Sequence, residues 1–164
     1  MNKLLISAGA LAVLALGTPA VAAPSNQASA NATVNIVSPL TLTKSTDLNF
    51  GTIVGPFAGQ VVHVDMTGAR NCAGLTCSGT VSAASFTLTG TANQAVALTL
   101  PTSVTLNGSV SGTLSVDLSS DEPTNPTLDG SGNAAFSIGG KLTIPTGTVD
   151  GVYANTFNVT ANYQ

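Results

Sequence analysis

The stretch from Gly151 to Gln164, GVYANTFNVTANYQ, limits what this chain can fold into more than any other. Tyr153, Phe157, Val159, Ala161 and Tyr163 take odd positions, while Thr156, Asn158, Thr160 and Asn162 take even ones. An extended chain then has one apolar and one polar face, whereas a helix would scatter both rows around its axis. The stretch reads as a half-buried β-strand, expected in the centre of a sheet, with Tyr153, Phe157, Val159, Ala161 and Tyr163 as its pairing face. Asn155 interrupts the apolar row. Asparagine tolerates left-handed backbone, so a bulge or an exposed strand start is expected there. The rest of the chain has to provide this strand's neighbours.

Met1 to Ala22 reads as a signal peptide rather than as part of the fold. Lys3 gives a positive start, Leu4 to Leu16 is an apolar run too short to span a bilayer, and Pro19 precedes the small residues Ala20-Val21-Ala22. Cleavage is expected after Ala22, with a cut after Ala23 or an uncleaved anchor helix as the alternatives. Export then follows a Sec-type route, ending in the periplasm, at the cell surface or outside the cell. No membrane span is expected after cleavage.

About 142 residues remain, one domain's worth and long enough to bury a core without a metal or disulfide scaffold. Lys44, Arg70 and Lys141 face seven acidic side chains, and charged residues make up only 7% of the full chain. No basic patch is available to grip phosphate backbones, which excludes nucleic-acid binding. Disordered chains are poor in β-branched and apolar residues, whereas this one is low in charge and rich in Ala, Thr, Ser, Val, Gly and Asn, which argues for a folded, β-rich chain. Cys72 and Cys77 sit in a Gly-bearing loop of an exported chain, where thiols oxidise, and are expected to pair as a local clip. A redox role would want C-x-x-C beside a βαβ pattern.

Ala23 to Asn31 is small and polar, a flexible lead-in. A single domain is expected over residues 32–164, its first strand at Ala32 to Val37, where Val34 and Ile36 share a face and form a candidate donor or partner strand. Pro39 ends it. Further strands are expected at Leu40 to Lys44, Leu48 to Val54, Gln60 to Met66, Val81 to Gly90, Ala95 to Leu100, Ser103 to Leu106 and Gly112 to Leu118. Asn107-Gly108 is expected to turn a hairpin. Ala134 to Ile138 and Lys141 to Ile144 flank Gly139-Gly140 and read as two strands joined at the glycines. Phe50-Gly51 suggests a bulge or a close backbone approach. With no sustained helical spacing, roughly eight to ten short strands point to an all-β antiparallel β-sandwich, with a barrel as the lesser alternative and no significant helix after the signal peptide.

Little in the chain points to catalysis. His63 is the lone histidine, no nucleophile-elbow sequence is present, and no second His or free Cys would complete a metal site with His63 and Asp65. Asp129-Gly130-Ser131-Gly132-Asn133 alternates oxygen-bearing residues as calcium loops do, and Asp121 and Glu122 could add oxygens. It lacks the sixth-position glycine and twelfth-position acid of an EF-hand, so a turn is the preferred account. No catalytic residue, metal or cofactor is expected.

Leu48-Asn49-Phe50-Gly51, Phe86-Thr87-Leu88-Thr89-Gly90, Leu98-Thr99-Leu100-Pro101, Leu128-Asp129-Gly130, Ile138-Gly139-Gly140-Lys141-Leu142 and Gly151-Val152-Tyr153 to Tyr163-Gln164 occur in this order. Together they resemble the signatures of domain of unknown function 4402, a family of small secreted proteins chiefly of Proteobacteria. That family is similar in turn to chaperone–usher and spore-coat-U-type pilins, which share a Gly-x-Tyr and an alternating terminal strand. The resemblance implies an incomplete immunoglobulin-like sandwich whose groove is filled by a strand from a periplasmic chaperone and then from another subunit. The expected function is a non-enzymatic structural or adhesive protein, a fimbrial-type subunit or surface-associated component working by strand addition. The rival is a self-complete periplasmic or extracellular module binding a glycan or small ligand.

Overall fold

The computed structural model describes residues 26–121 and 125–164, so the expected signal peptide and its cleavage site lie outside the described residues. Among the described residues there is no helix. The strands are β1 (Thr41–Thr46), β2 (Thr52–Val54), β3 (Gln60–Val64), β4 (Arg70–Asn71), β5 (Thr76–Ser78) and β6 (Ala84–Thr89), followed by β7 (Val96–Thr99), β8 (Ser103–Gly108), β9 (Thr113–Ser120), β10 (Asn133–Ile144), β11 (Tyr153–Ala154) and β12 (Thr160–Tyr163). A large antiparallel sheet runs in the order β1, β6, β10, β9, β8, β11, with β3 paired to β10 and β4 to β3. Two small sheets pair β12 with β7 and β2 with β5.

Period-two alternation explains how the large sheet packs. In β6, Ala84, Phe86 and Leu88 are buried while Thr87 and Thr89 face out. Phe86 lies opposite Phe136 of β10, and their rings stack with centroids 5.2 Å apart. Burying two aromatic rings against each other stabilises by more than their area alone, by about 1 kcal/mol. Val96 and Leu98 of β7 share this core with Leu88, Phe136 and Ile138, and Phe157, Val159, Ala161 and Tyr163 pack against it. The β7/β12 pair is therefore a second layer over the β6/β10 part of the large sheet, the sandwich arrangement expected from the pattern.

A second core gathers Val62 and Val64 of β3, Leu114 and Val116 of β9, and Leu142 and Ile144 of β10. One strand serves both cores, because Gly139-Gly140 does not turn. β10 runs straight through the pair, bonded to β6 over 133–138 and to β3 over 140–144, with β9 along its other edge. The glycines are there for close approach. A Cβ at Gly139 would sit 2.5 Å from the Val64 carbonyl oxygen, and one at Gly140 would sit 2.8 Å from a Val116 methyl. Close approach and a turn leave the same glycine signal in a sequence.

Three further expectations are corrected. The strand expected at Ala32 to Val37 does not form, since residues 26–40 lie outside every strand and Val34 and Ile36 are 82% and 84% exposed. Alanines at 28, 30 and 32 bury too little apolar area to offset the entropy of ordering that chain. The sheet structure thus begins at Thr41 rather than at residue 32. The Asn107-Gly108 hairpin turns one step later, at residues 109–112, closed by the Gly108 N–H donating to the Gly112 carbonyl at 2.9 Å. The terminal stretch is not a central strand either. It splits into β11 and β12 around residues 155–159, which belong to no strand, and β12 has β7 as its one sheet neighbour among the described residues.

Candidate functional site

An open groove of about 620 Å³ lies over the second core. Its base is the large sheet, where the buried side chains Leu114, Val116, Leu142 and Ile144 face it. Residues 48–57 contribute Phe50, Ile53 and Phe57, and residues 148–157 contribute Tyr153, Asn155 and Phe157. Tyr153 and Phe157 of the expected pairing face therefore line the groove. Val159, Ala161 and Tyr163 continue the same alternation beyond it, half-buried against the first core. One face of the terminal stretch thus touches both cores, as its odd-position pattern requires.

Residues 48–57 are held in place by the cystine loop. Cys72 and Cys77 are bonded, with Cα atoms 6.3 Å apart. β5, which carries Cys77, pairs with β2 so that Ile53 lies opposite Cys77. The Arg70 guanidinium donates through Nη1 to the carbonyls of Phe50 at 2.6 Å and Ser78 at 3.0 Å, tying the two segments together. A Cβ at Gly51 would collide with that nitrogen and sit 2.5 Å from the Ser78 carbonyl oxygen, and Gly51 also has φ +72°, so both space and backbone exclude a side chain. This is the close approach that Phe50-Gly51 suggested.

On the other side, the Tyr153 hydroxyl donates to the Val149 carbonyl at 2.7 Å, and the Asn155 amide donates to the Thr105 carbonyl at 2.7 Å. Asn155 interrupts the apolar row because its side chain is spent on β8 rather than on the core. Tyr163 does something the sequence did not signal. Its hydroxyl accepts from the Thr91 N–H at 2.7 Å and donates to the Ser38 carbonyl at 2.8 Å, while the Ser38 N–H donates to Thr91 Oγ1 at 2.6 Å. Three residues remote in sequence close a clasp that fixes the chain at Ser38, just beyond Val34 and Ile36.

The polar candidates are engaged locally. Asp65 Oδ1 accepts from the Thr67 hydroxyl, the Thr67 N–H and the Ala69 N–H, and these bonds, the Thr67 hydroxyl's foremost, hold its carboxyl below the usual carboxylate range. Asp129 Oδ1 accepts from the Asn133 and Ser131 N–H groups, which likewise depress its pKa, with Asn133 the larger cause. The Asp129 loop is thus an Asx-type turn whose carboxylate faces its own backbone. His63 on β3 lies opposite Lys141 of β10. Among the described residues no group of three or more His, Cys, Asp or Glu side chains is placed to hold a metal ion, and no helix is long and apolar enough to cross a membrane.

Sequence reasoning missed Phe57, Ile53 and Arg70 as shapers of the site. Phe57 sat inside Gly55-Pro56-Phe57-Ala58-Gly59, and a large aromatic between turn residues was the available signal. Neither a curated protein nor a solved structure matches the chain. A family model described as domain of unknown function (DUF4402) matches residues 40–163, which takes in every strand from β1 to β12. By that match over most of its length, the chain belongs to the DUF4402 family.

Proposed function

We propose that this is a non-enzymatic exported structural or adhesive protein, a fimbrial-type subunit or surface-associated component that works by accepting an added β-strand. One observation carries the proposal: residues 155–159 belong to no strand, line or adjoin an apolar groove, and lead into β12, whose one sheet neighbour among the described residues is β7. Unsatisfied backbone groups at a sheet edge supply affinity for an extended segment, and alternate side chains seated in the groove set its register. The residues that would meet the added strand are Tyr153, Phe157, Val159 and the edge of β12. The signal-peptide pattern expected over residues 1–22 and the Cys72–Cys77 bridge both suit an exported, oxidising setting.

The test is amide hydrogen exchange on the mature chain at low and high concentration. Assembly is expected to slow exchange over residues 153–163 by at least about tenfold, as buried ladder amides do. Unchanged exchange there at concentrations where the protein assembles would defeat the proposal. The groove also suits a rival, a self-complete module for a glycan or small ligand, because its volume of about 620 Å³ lies within the range of small-molecule pockets. A monomer at all concentrations that is stabilised by one sugar would favour that rival.

A further inference from the structure

We propose that the groove over the second core holds a single alkyl chain, that of an amphiphile with a positively charged head. Its floor is hydrocarbon, made by Leu114, Val116, Leu142 and Ile144 of the large sheet, with Ile53 and Phe57 added from residues 48–57. Most polar side chains that line it are already spent on the chain itself. The Tyr153 hydroxyl donates to the Val149 carbonyl and the Thr148 hydroxyl to the Pro145 carbonyl, each at 2.7 Å. Asn155 gives its amide to the Thr105 carbonyl, and its Oδ1 accepts from the Thr156 N–H at 2.8 Å. Asn49, Thr52 and Asp150 are the other polar lining residues, and all three are exposed. A sugar seated on this floor would surrender water from its hydroxyls and gain no side-chain partner there. A hydrocarbon chain forfeits no hydrogen bond and gains from every methylene it buries.

Charge selects the head. Asp150 is the one charged side chain among the described residues that line the groove, and no Lys, Arg or His is among them. It stands in sequence beside Val149 and two residues before Val152, which are 44% and 72% exposed, so its carboxylate neighbours an apolar surface. A carboxylate or phosphate head brought there meets repulsion, whereas an ammonium head meets attraction. The formal net charge of −3 adds to the same preference. This site goes beyond strand addition, because an added strand needs the backbone of residues 155–163 and the alkyl chain needs only the floor.

The test is calorimetric titration of the mature chain with hexyl- to dodecyltrimethylammonium salts and with alkanoates of matching length, all below their micelle concentrations. One ammonium amphiphile per chain is expected, with affinity rising about two- to fourfold for each added methylene and exceeding that of the matching alkanoate by about tenfold. Asp150→Asn should erase the preference for the cation and keep the dependence on chain length. Phe57→Ala should weaken the dodecyl probe by about tenfold, while Val61→Ala, on the exposed face of β3, should leave it unchanged, circular dichroism showing both variants folded. Uptake without saturation, or equal loss in the two alanine variants, would overturn the site as surfactant coating. A preference that survives Asp150→Asn would overturn the assigned head. If no alkyl chain binds while exchange over 153–163 still slows on assembly, the inference fails and strand addition stands; saturable binding with exchange there unmoved by assembly gives the reverse.

Discussion

The Tyr163 hydroxyl donates to the Ser38 carbonyl across 125 residues of chain, so the last strand and the start of the sheet structure are fixed to each other by one phenol. Its oxygen also accepts from Thr91. Tyr163→Phe removes both bonds and leaves the Thr91 N–H without its partner. A loss of about 1–2 kcal/mol is expected, read as a melting temperature lowered by on the order of 5 °C.

Val159 packs half-buried against the first core. Replacing it with Asp places a charge on an apolar surface and should cost at least about 2 kcal/mol. The measurement is the urea midpoint of purified protein together with the yield of folded chain. Normal values for both would show that the odd-position row does not face inward.

Gly139→Ala forces a methyl to within 2.5 Å of the Val64 carbonyl, a backbone atom that cannot swing aside. Overpacking of this kind costs about 1–3 kcal/mol. Gly130→Ala, where an added Cβ meets nothing within 4 Å, is the matched control and should change stability little.

Joint replacement of Cys72 and Cys77 by Ser opens a ring of five residues' separation. The chain-entropy model assigns such a ring about 2 kcal/mol. Because β5 pairs with β2 and Arg70 ties the loop to Phe50, the damage should extend beyond the loop. Amide exchange over residues 50–54 should quicken in the variant while that over β6 does not.

Asp129 has its folded-state pKa depressed by backbone N–H donors, chiefly that of Asn133. A carboxylate stabilised in the folded state contributes fully above its unfolded value near 3.9, and the contribution fades as pH falls from there through the depressed value. Asp65 behaves in the same way through Thr67. Stability should therefore drop below about pH 4, and Asp129→Asn, which keeps an acceptor oxygen but cannot titrate, should shrink that drop. An unaltered acid profile in Asp129→Asn would assign the drop elsewhere.

The sequence disclosed the fold class and most strand positions because period-two burial writes itself directly into residue order. Phe86-Thr87-Leu88-Thr89 and Gln60 to Val64 needed no long-range information to be read. What stayed hidden was partnership. Gly139-Gly140 looked like punctuation because a glycine required by the Val64 carbonyl is indistinguishable, in sequence, from one that turns the chain. The terminal stretch showed which face is inward but not that β12 has a single sheet neighbour among the described residues. Ala32 to Val37 alternated convincingly, yet alternation reports only that a segment suits a sheet and not whether its own molecule provides one. For the groove, Tyr153 and Phe157 were legible from their spacing. Phe57, Ile53 and Arg70 were not, since their roles depend on a loop folding back across the chain.

Because β10 is common property of both cores, neither half can come apart without disturbing the other. Heating should give one calorimetric peak rather than two, and injury in the β3 region should loosen side chains around Phe86 at the opposite end. A molecule knit through its middle in this way is well suited to transmitting tension from one end to the other.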